Sequence, residues 1–339
     1  YSFYKKNKRE EPNNLGHIIM DKKSSFCVRD NFDLDIAESI KNIKASWMHN
    51  YILFFLKEIK DIVIALVQQI KSLKDINNKE FKNFLSKNKN TFKKFDNDKI
   101  FKDDGIILTT AYNVGHPGYQ ITQMILGKYL EKILKIRAVG SQEQSHFFVN
   151  KLFQSYNYSR IHVFKRMSFF KRLKLFHKSK KILANLKKFE NFINYEKDGV
   201  KIGKIVYEHY IRFTGQPSLN KFNFKINYFL FRALEYHAHS KKLFKKKNIK
   251  YVVISEKQFI PSGIIFQNAL LHNSKIIARI AGPSNVGLRL YDNKNEFYKS
   301  RYHFSKDIIE YTYKNHLGMA VINSNRILKA RFSDSKNKK

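Results

Sequence analysis

Short apolar runs alternate with longer amphipathic segments through the middle of the chain. The runs that resemble strands buried on both faces of a sheet are residues 106–111, 136–139, 161–164, 251–254 and 275–278. Between them, segments such as 119–134 and 261–271 repeat apolar residues at helical spacing. Strand, helix and strand follow one another twice. This order predicts an α/β fold, with a Rossmann-like parallel sheet flanked by helices.

Helical spacing also marks segments outside these units. In residues 34–75 the apolar positions approximate one helix face, which packs on the protein itself or meets a partner or a lipid surface. A short helix and a linker are predicted for 76–104. Further helices are predicted at 142–152, 168–193, 206–213, 222–242 and 306–331.

These elements divide the chain into three parts. Residues 1–103 are expected to form a polar segment and an N-terminal helical extension. Residues 104–300 carry the Rossmann-like pattern, and residues 301–339 a helix followed by a basic tail. The scarcity of glycine (13) and proline (5) argues against an all-β sandwich, which needs many tight turns.

The chain is strongly basic, with a formal net charge of +37. Nucleic acid, an anionic membrane face and phosphate-bearing substrates are the partners that such a charge suits. Lysine greatly outnumbers arginine, although planar, bidentate recognition of phosphates or bases favours arginine. A composition rich in Lys, Asn, Ile, Phe and Tyr is also typical of an AT-rich genome, in which lysine fills solvated positions.

Cysteine usage and hydropathy bear on location. Cys27 is the only cysteine, so the sequence offers no disulfide and no cysteine-based zinc site, which fits a reducing cytoplasm. There is no uncharged apolar run of about 18 residues, so no transmembrane helix is predicted. We find no signal peptide and expect a cytoplasmic protein. The chain starts with Tyr1 rather than Met, and the sequence leaves open whether it is a fragment.

A glycine-containing loop follows the strand at 106–111 and is the first candidate site. In an open parallel sheet, ligands bind beyond the carboxyl ends of the strands. Asn113, Gly115 and Gly118 are therefore candidate substrate-binding residues, because glycines let the backbone approach a ligand and helix N-termini favour anions. His116 is a candidate catalytic base. The alternative is an ordinary turn with a surface histidine.

Two further segments are candidates. Ser255 and Glu256 follow the strand at 251–254, where a polar group can hold a ligand or cap the next helix. We assign Glu256 a catalytic role and Ser255 a substrate-binding role. Residues 199–212 place two glycines before a helix in which Glu208 and Arg212 lie four positions apart and can pair. The alternative for this segment is a well-packed helix with one surface salt bridge.

Residues 200–219 read VKIGKIVYEHYIRFTGQPSL. This stretch resembles the IGDLIYDTYLR segment of bacterial capsular and surface polysaccharide biosynthesis proteins. Gly203, Tyr207, Tyr210 and Arg212 match that segment in place, and we assign them to substrate binding. Lys204 and His209 depart from the usual Asp and Thr. A strand and helix at 250–270 and a strand at 275–278 follow in the family's order, so the resemblance covers roughly residues 104–300.

The resemblance implies a two-domain glycosyltransferase of the GT-B type, in which two Rossmann-like domains face each other across a cleft. The chain resembles the N-terminal, acceptor-side half, since the FSH and KPHP signatures of the other half are missing. The expected partner is a glycan or lipid-linked acceptor, with contact to an anionic inner-membrane surface. No cofactor is expected in this half, and the nucleotide-sugar donor is expected in a further C-terminal domain. The chain is then a truncated enzyme, a half completed by a partner, or a half with another task.

Two other classes of function stay open. A basic nucleic-acid-binding protein would present one continuous basic groove with interleaved aromatics. An assembly module would use the helix at 34–75 to pair with a partner. The sequence His237-Ala238-His239 is better explained by a surface helix than by a metal site, because the two imidazoles point apart on a helix.

Overall fold

The structure is a computed structural model that describes residues 46–93, 101, 104–112, 117–186, 188–215, 219, 221–281, 286–297 and 306–336. The chain divides into two compact units, Tyr1–Phe297 and Tyr298–Lys339. The helices that precede the sheet therefore fall in the same unit as the sheet. None of the described helices combines the length and the apolar character needed to cross a bilayer.

The first unit is built from a sheet and the helices around it. Its helices are α1 (Ser46–Asn77), α2 (Lys79–Lys93), α3 (Pro117–Leu134), α4 (Phe147–Ser155), α5 (Phe169–Leu186), α6 (Phe189–Ile193), α7 (Ile202–Thr214), α8 (Phe224–Lys246) and α9 (Ser262–Leu271). Its strands are β1 (Ile106–Thr110), β2 (Arg137–Gln142), β3 (Ile161–Val163), β4 (Ile249–Ile254), β5 (Lys275–Ala281) and β6 (Val286–Tyr291). The second unit contains α10 (Lys306–Lys336), whose backbone departs from helical geometry at His316.

The six strands form one mostly parallel sheet in the order β3-β2-β1-β4-β5-β6. Strands β1 to β5 run parallel to one another, and β6 pairs antiparallel with β5. In register, Leu108 of β1 lies opposite Val139 of β2 and Val252 of β4. The predicted parallel sheet is therefore present, and the runs at 106–111, 251–254 and 275–278 supply three adjacent parallel strands.

Both faces of the sheet are covered by helices. Successive strand residues alternate between two apolar cores: Ile107 and Val253 belong to one, and Leu108 and Val252 to the other. Helices α2, α3 and α4 supply side chains to the first core, and α5, α7, α8 and α9 to the second. This two-sided burial is the reason that the strands read as continuous apolar runs.

Helix α1 is attached through a smaller aromatic cluster and a buried ion network. Its Phe54 stacks on Phe176 of α5 at 4.5 Å between ring centroids. Glu58 of α1 binds Arg172 of α5, with 2.6 Å between Oε1 and Nη2, and Arg172 also binds Glu235 of α8. All three side chains of this ion network are nearly inaccessible to solvent. A buried guanidinium between two carboxylates therefore joins three helices.

Several predicted helix boundaries differ from the structure. The helix predicted at 142–152 begins at Phe147, because β2 continues to Gln142, which pairs with Val163 of β3. The helix predicted at 168–193 is two helices, and Asn191 Nδ2 of the second donates to the Leu186 carbonyl that ends the first. The helix predicted at 206–213 begins at Ile202.

The antiparallel strand β6 was missed by the sequence reading. Along it, Leu288 and Leu290 are exposed while Tyr291 is buried. This half-exposed edge strand lacks the continuous apolar run by which the other strands were recognised.

The tight packing around Gly203 can be tested by substitution. Gly203 lies in the first turn of α7, where an added Cβ would come within 1.7 Å of the Phe192 carbonyl oxygen. We expect Gly203→Ala to lower the free energy of unfolding by about 1–3 kcal/mol or more, because backbone in a packed core cannot yield easily. Gly118→Ala is the matched control, since an added Cβ there meets nothing within 4 Å. It should be neutral or stabilising by up to about 1 kcal/mol in urea denaturation. Equal effects of the two changes would contradict this packing.

The buried ion network around Arg172 can also be tested by substitution. Replacing Arg172 by methionine removes the buried cation that Glu58 and Glu235 share, and should cost about 3–5 kcal/mol of unfolding free energy. Lys275→Met is the matched control. Lys275 pairs with Asp292 at 3.4 Å, both side chains are about half exposed, and its loss should cost less than about 1 kcal/mol. Chemical denaturation of the two variants measures the difference. A loss of under about 1 kcal/mol for Arg172→Met would show that the buried network is not formed.

Candidate functional site

The direction of chain progression across the sheet reverses between β1 and β4. From β1 the chain builds outward through β2 and β3, whereas β4 and β5 lie on the other side of β1. The connections leaving neighbouring strands at such a point diverge and open a crevice at the carboxyl edge of the sheet. Segments that lie at this edge are therefore the first place to look for binding groups.

A side chain of α3 joins the ends of β1 and β4 at this edge. With its amide oriented to satisfy its hydrogen bonds, the Gln123 oxygen accepts from the Ser255 backbone N at 2.7 Å and from Ser255 Oγ at 2.6 Å. The Gln123 nitrogen then donates to the Thr110 carbonyl oxygen, and Thr110 Oγ1 donates to the Val253 carbonyl at 3.0 Å. The predicted site residue Ser255 is thus held in place beside the first turns of α3.

An arginine lies over the start of α3. The guanidinium carbon of Arg279, near the end of β5, lies 4.6 Å from the centroid of the Tyr119 ring. Arg279 Nε is buried and has no hydrogen-bond partner among the described residues. Gly118, one residue before Tyr119, is exposed and would tolerate a group close to its backbone. A helix N-terminus and an arginine with an unused donor together favour an anion.

The loop after β4 folds back onto α7. Glu256 Oε1 accepts from the backbone N of Lys257 at 2.8 Å and of Gln258 at 3.1 Å. His209 Nδ1 of α7 accepts from the backbone N of Ile260 at 3.3 Å. The structure therefore brings together the candidate segments at 203–212 and 255–262.

At this contact a second carboxylate and two lysines influence the pKa of Glu208. Burial raises the pKa of Glu208 above its ordinary value of 4.5. Lys204 lowers that pKa, Glu256 raises it and Lys257 lowers it. A shifted pKa that arises from burial and neighbouring charges is common among catalytic acids and bases. Glu208 therefore belongs with Glu256 as a site candidate, although its position in the sequence indicates only a pair with Arg212.

The four positions that match the polysaccharide-biosynthesis segment have different surroundings. Gly203 is packed against the Phe192 carbonyl, and Tyr210 is buried with its hydroxyl accepting from Asn223 Nδ2 at 3.2 Å. The Tyr207 ring lies edge-on to Phe189 at 5.1 Å. Arg212 is exposed in the last turn of α7. Gly203 and Tyr210 are accounted for by packing, and Arg212 is the most accessible of the four.

A second polar cluster at the carboxyl edge was missed by the sequence analysis. Arg232 Nη2 of α8 lies 2.7 Å from Oε1 of Glu143, which directly follows β2, and the Tyr236 hydroxyl also binds Glu143. Beside them, the Tyr112 hydroxyl lies 2.8 Å from Ser141 Oγ. Burial raises the pKa of Tyr112 and of Tyr236. The available signal was the position of Glu143 immediately after a strand.

The histidine pair of α8 also differs from the prediction of a surface helix. His237 is buried, and its Nε2 lies 2.9 Å from Asp198 Oδ2. Lys241 Nζ lies 2.8 Å from the same oxygen. Beside them is a pocket of about 390 Å³ lined by Lys197, Asp198, His237, Ala238, Lys241, Lys242, Lys245 and Lys246. Lysine is thus concentrated around the carboxyl-terminal half of α8.

Asn113, Gly115 and His116 lie outside the described residues. Within the described ranges, no group of three or more His, Cys, Asp or Glu side chains is placed to hold a metal ion. No family model, no curated protein sequence and no solved structure matches the chain.

Titration of Glu208 tests the arrangement of charges. We expect the Glu208 pKa, followed by the NMR shift of its carboxyl carbon, to lie above 4.5 in the folded protein. Lys204→Met should raise this pKa further, and Glu256→Gln should lower it. Lys151→Met, in α4 on the opposite face of the sheet, should leave it unchanged.

The same shift has a consequence for stability. The folded-state pKa of Glu208 exceeds that of the unfolded chain, so stability is lost as pH rises through the folded-state pKa. Glu208→Gln should remove this loss and leave stability at lower pH unaltered. An ordinary or depressed pKa for Glu208 would contradict its burial beside Glu256.

Proposed function

We propose that the chain is a glycosyltransferase of bacterial surface polysaccharide biosynthesis, or the acceptor-binding half of one. The strand order β3-β2-β1-β4-β5-β6 is also that of the doubly wound nucleotide-binding fold, which supports a Rossmann-like classification. Here the last strand runs antiparallel. The acceptor is a glycan linked through phosphate to a lipid carrier, and the working compartment is the cytoplasm.

The proposal rests on one observation. Residues suited to ligand binding lie together at the carboxyl edge of the sheet, where the strand order reverses. Arg279 with its unused Nε and the N-terminus of α3 lie at this edge. Ser255 lies there too, one residue before Glu256, whose charge raises the pKa of Glu208. Cationic and carboxylate groups beside one crevice suit a substrate that has both a phosphate and a reacting hydroxyl.

The proposed reaction assigns a task to each group. The acceptor hydroxyl oxygen forms a bond to the anomeric carbon of the donor, and the bond from that carbon to the nucleoside diphosphate breaks. The hydroxyl proton passes to a carboxylate, for which Glu208 is suited by its raised pKa, with Glu256 beside it. His116 is the alternative base. Arg279 and the α3 N-terminus hold the acceptor phosphate, and Ser255 and Arg212 contact the acceptor.

The nucleotide-sugar donor is assigned to a further domain or a partner. In this proposal Asn113, Gly115, Gly118 and Tyr207 are assigned to acceptor binding. Gly203 and Tyr210 act through packing, since the first touches the Phe192 carbonyl and the second is buried. They position α7 rather than touch substrate.

A second candidate function is supported by the lysine pocket beside α8. Lys197, Lys241, Lys242, Lys245 and Lys246 line it, and Asp198 is the one acidic residue in that lining. Burial and neighbouring lysines lower the pKa of Lys197, which indicates crowded positive charge. Such a surface also suits the phosphate backbone of a nucleic acid.

Calorimetric titration with a soluble glycosyl diphosphate separates the two functions. The proposal expects binding of the glycosyl diphosphate and much weaker binding of the dephosphorylated sugar. Arg279→Met should weaken binding about ten- to a hundredfold, because it removes a charged hydrogen-bond donor. Lys151→Met, an exposed change on α4, should have no effect.

A single-stranded oligonucleotide serves as the competing ligand in the same assay. The nucleic-acid reading expects tight binding of the oligonucleotide with steep salt dependence, weakened by Lys241→Met and indifferent to Arg279→Met. That pattern, without binding of the glycosyl diphosphate, would overturn the sugar-transfer proposal.

A further inference from the structure

Helix α1 presents an apolar face that the described structure leaves uncovered. Eight large apolar side chains between positions 55 and 73 are each 42–67% exposed. They are Phe55, Ile59, Ile62, Val63, Leu66, Val67, Ile70 and Leu73. At about 100° per residue they occupy one stripe roughly 140° wide and about 27 Å long. An apolar area of this kind on a protein surface marks an interaction site.

The stripe continues onto the beginning of α5. The ring of Phe55 lies edge-on to Phe169 at 6.1 Å between centroids, and Phe169 lies 5.9 Å from Phe170. Phe170 is 80% exposed, the largest exposure among the apolar residues of this surface. The eight side chains of α1 and the rings of Phe169 and Phe170 in α5 therefore form one continuous apolar surface. We call this surface the α1–α5 apolar face.

The charges around this face are basic. The acidic residues between positions 55 and 73 are Glu58 and Asp61, and both are engaged on the packed side. Glu58 binds Arg172, and Asp61 accepts from the hydroxyl of Tyr228. Exposed lysines flank the face instead, at Lys71, Lys74, Lys171 and Lys174. An apolar stripe bordered by lysines matches helices that lie in the plane of an anionic membrane.

Charge also decides between a bilayer and a second copy of the chain. A second copy would bring the same net charge of +37 and the same bordering lysines against this face. A stripe this wide also exceeds the narrow seam of a two-helix coiled coil. An anionic lipid surface instead offers opposite charge to the lysines and an acyl boundary to the apolar side chains.

We propose that the α1–α5 apolar face binds the surface of an anionic lipid bilayer, with α1 lying in the membrane plane and Phe170 inserted at its end. Insertion is limited to this face, because no described helix is suited to span the membrane. The inference is independent of the sugar-transfer proposal, since it uses none of the carboxyl-edge residues.

Vesicle sedimentation of the full chain tests the proposal. We expect the protein to sediment with vesicles of phosphatidylglycerol and phosphatidylcholine, and at least tenfold less with phosphatidylcholine alone. The triple variant Ile62→Ser, Leu66→Ser, Ile70→Ser should lose binding by more than a hundredfold, and Phe170→Ser by roughly tenfold or more. All four positions are exposed, so circular dichroism and the melting temperature should stay close to those of the unchanged protein.

Gln68→Ser is the matched control. Gln68 is an exposed polar residue of the same helix, outside the stripe, and its change should leave vesicle binding unaltered. Vesicle binding that survives in the triple variant would show attraction by net charge alone and would overturn the proposal. So would a protein that dimerises in sedimentation equilibrium, loses dimerisation in the triple variant and ignores vesicles.

Discussion

A buried guanidinium between two carboxylates organises the helical layer of this protein. Arg172 of α5 binds Glu58 of α1 and Glu235 of α8 in a part of the molecule that solvent barely reaches. Residues of alternating charge continue from this network to the carboxyl edge of the sheet. Arg232 lies near Glu235 and pairs with Glu143 at that edge. Burying such charges is costly, so the arrangement persists only while all members are in place. Since Glu58 must face this network, the opposite side of α1 is turned to the exterior.

The orientation of α1 and the construction of the carboxyl edge are therefore linked through one network. Through Glu58, the network sets which side of α1 is exposed. Through Arg232, it holds Glu143 beside Tyr236. On the other side of β1, Gln123 joins the ends of two strands. Together these contacts make the carboxyl edge a polar region held in fixed geometry. The outer face of α1 is apolar and bordered by lysines, so the two surfaces differ in the ligands that they suit.

The polysaccharide-biosynthesis resemblance remains a prediction about function, and the structure qualifies the residues that carry it. Gly203 is explained by its contact with the Phe192 carbonyl, and Tyr210 by its place in the core. A sequence pattern of this kind indicates close packing as much as it indicates contact with a ligand. The group in this segment with the most unusual environment is Glu208. Burial is the main cause of its raised pKa, and Glu256, which is remote in sequence, raises the pKa further, so the pattern could not mark it.

The sequence by itself determined the class of fold, most of the helices and the parallel strands. Burial on both faces and helical periodicity are local properties that each segment carries alone. It did not reveal β6, whose exposed Leu288 and Leu290 break the pattern. Only the tertiary structure decided which charged groups interact, since the Arg172 network and the electrostatic influence of Glu256 on Glu208 involve residues far apart in the chain. The tertiary structure also decided which side of α1 is buried. The sequence of an amphipathic helix does not specify the charged residues on the helices that pack against it.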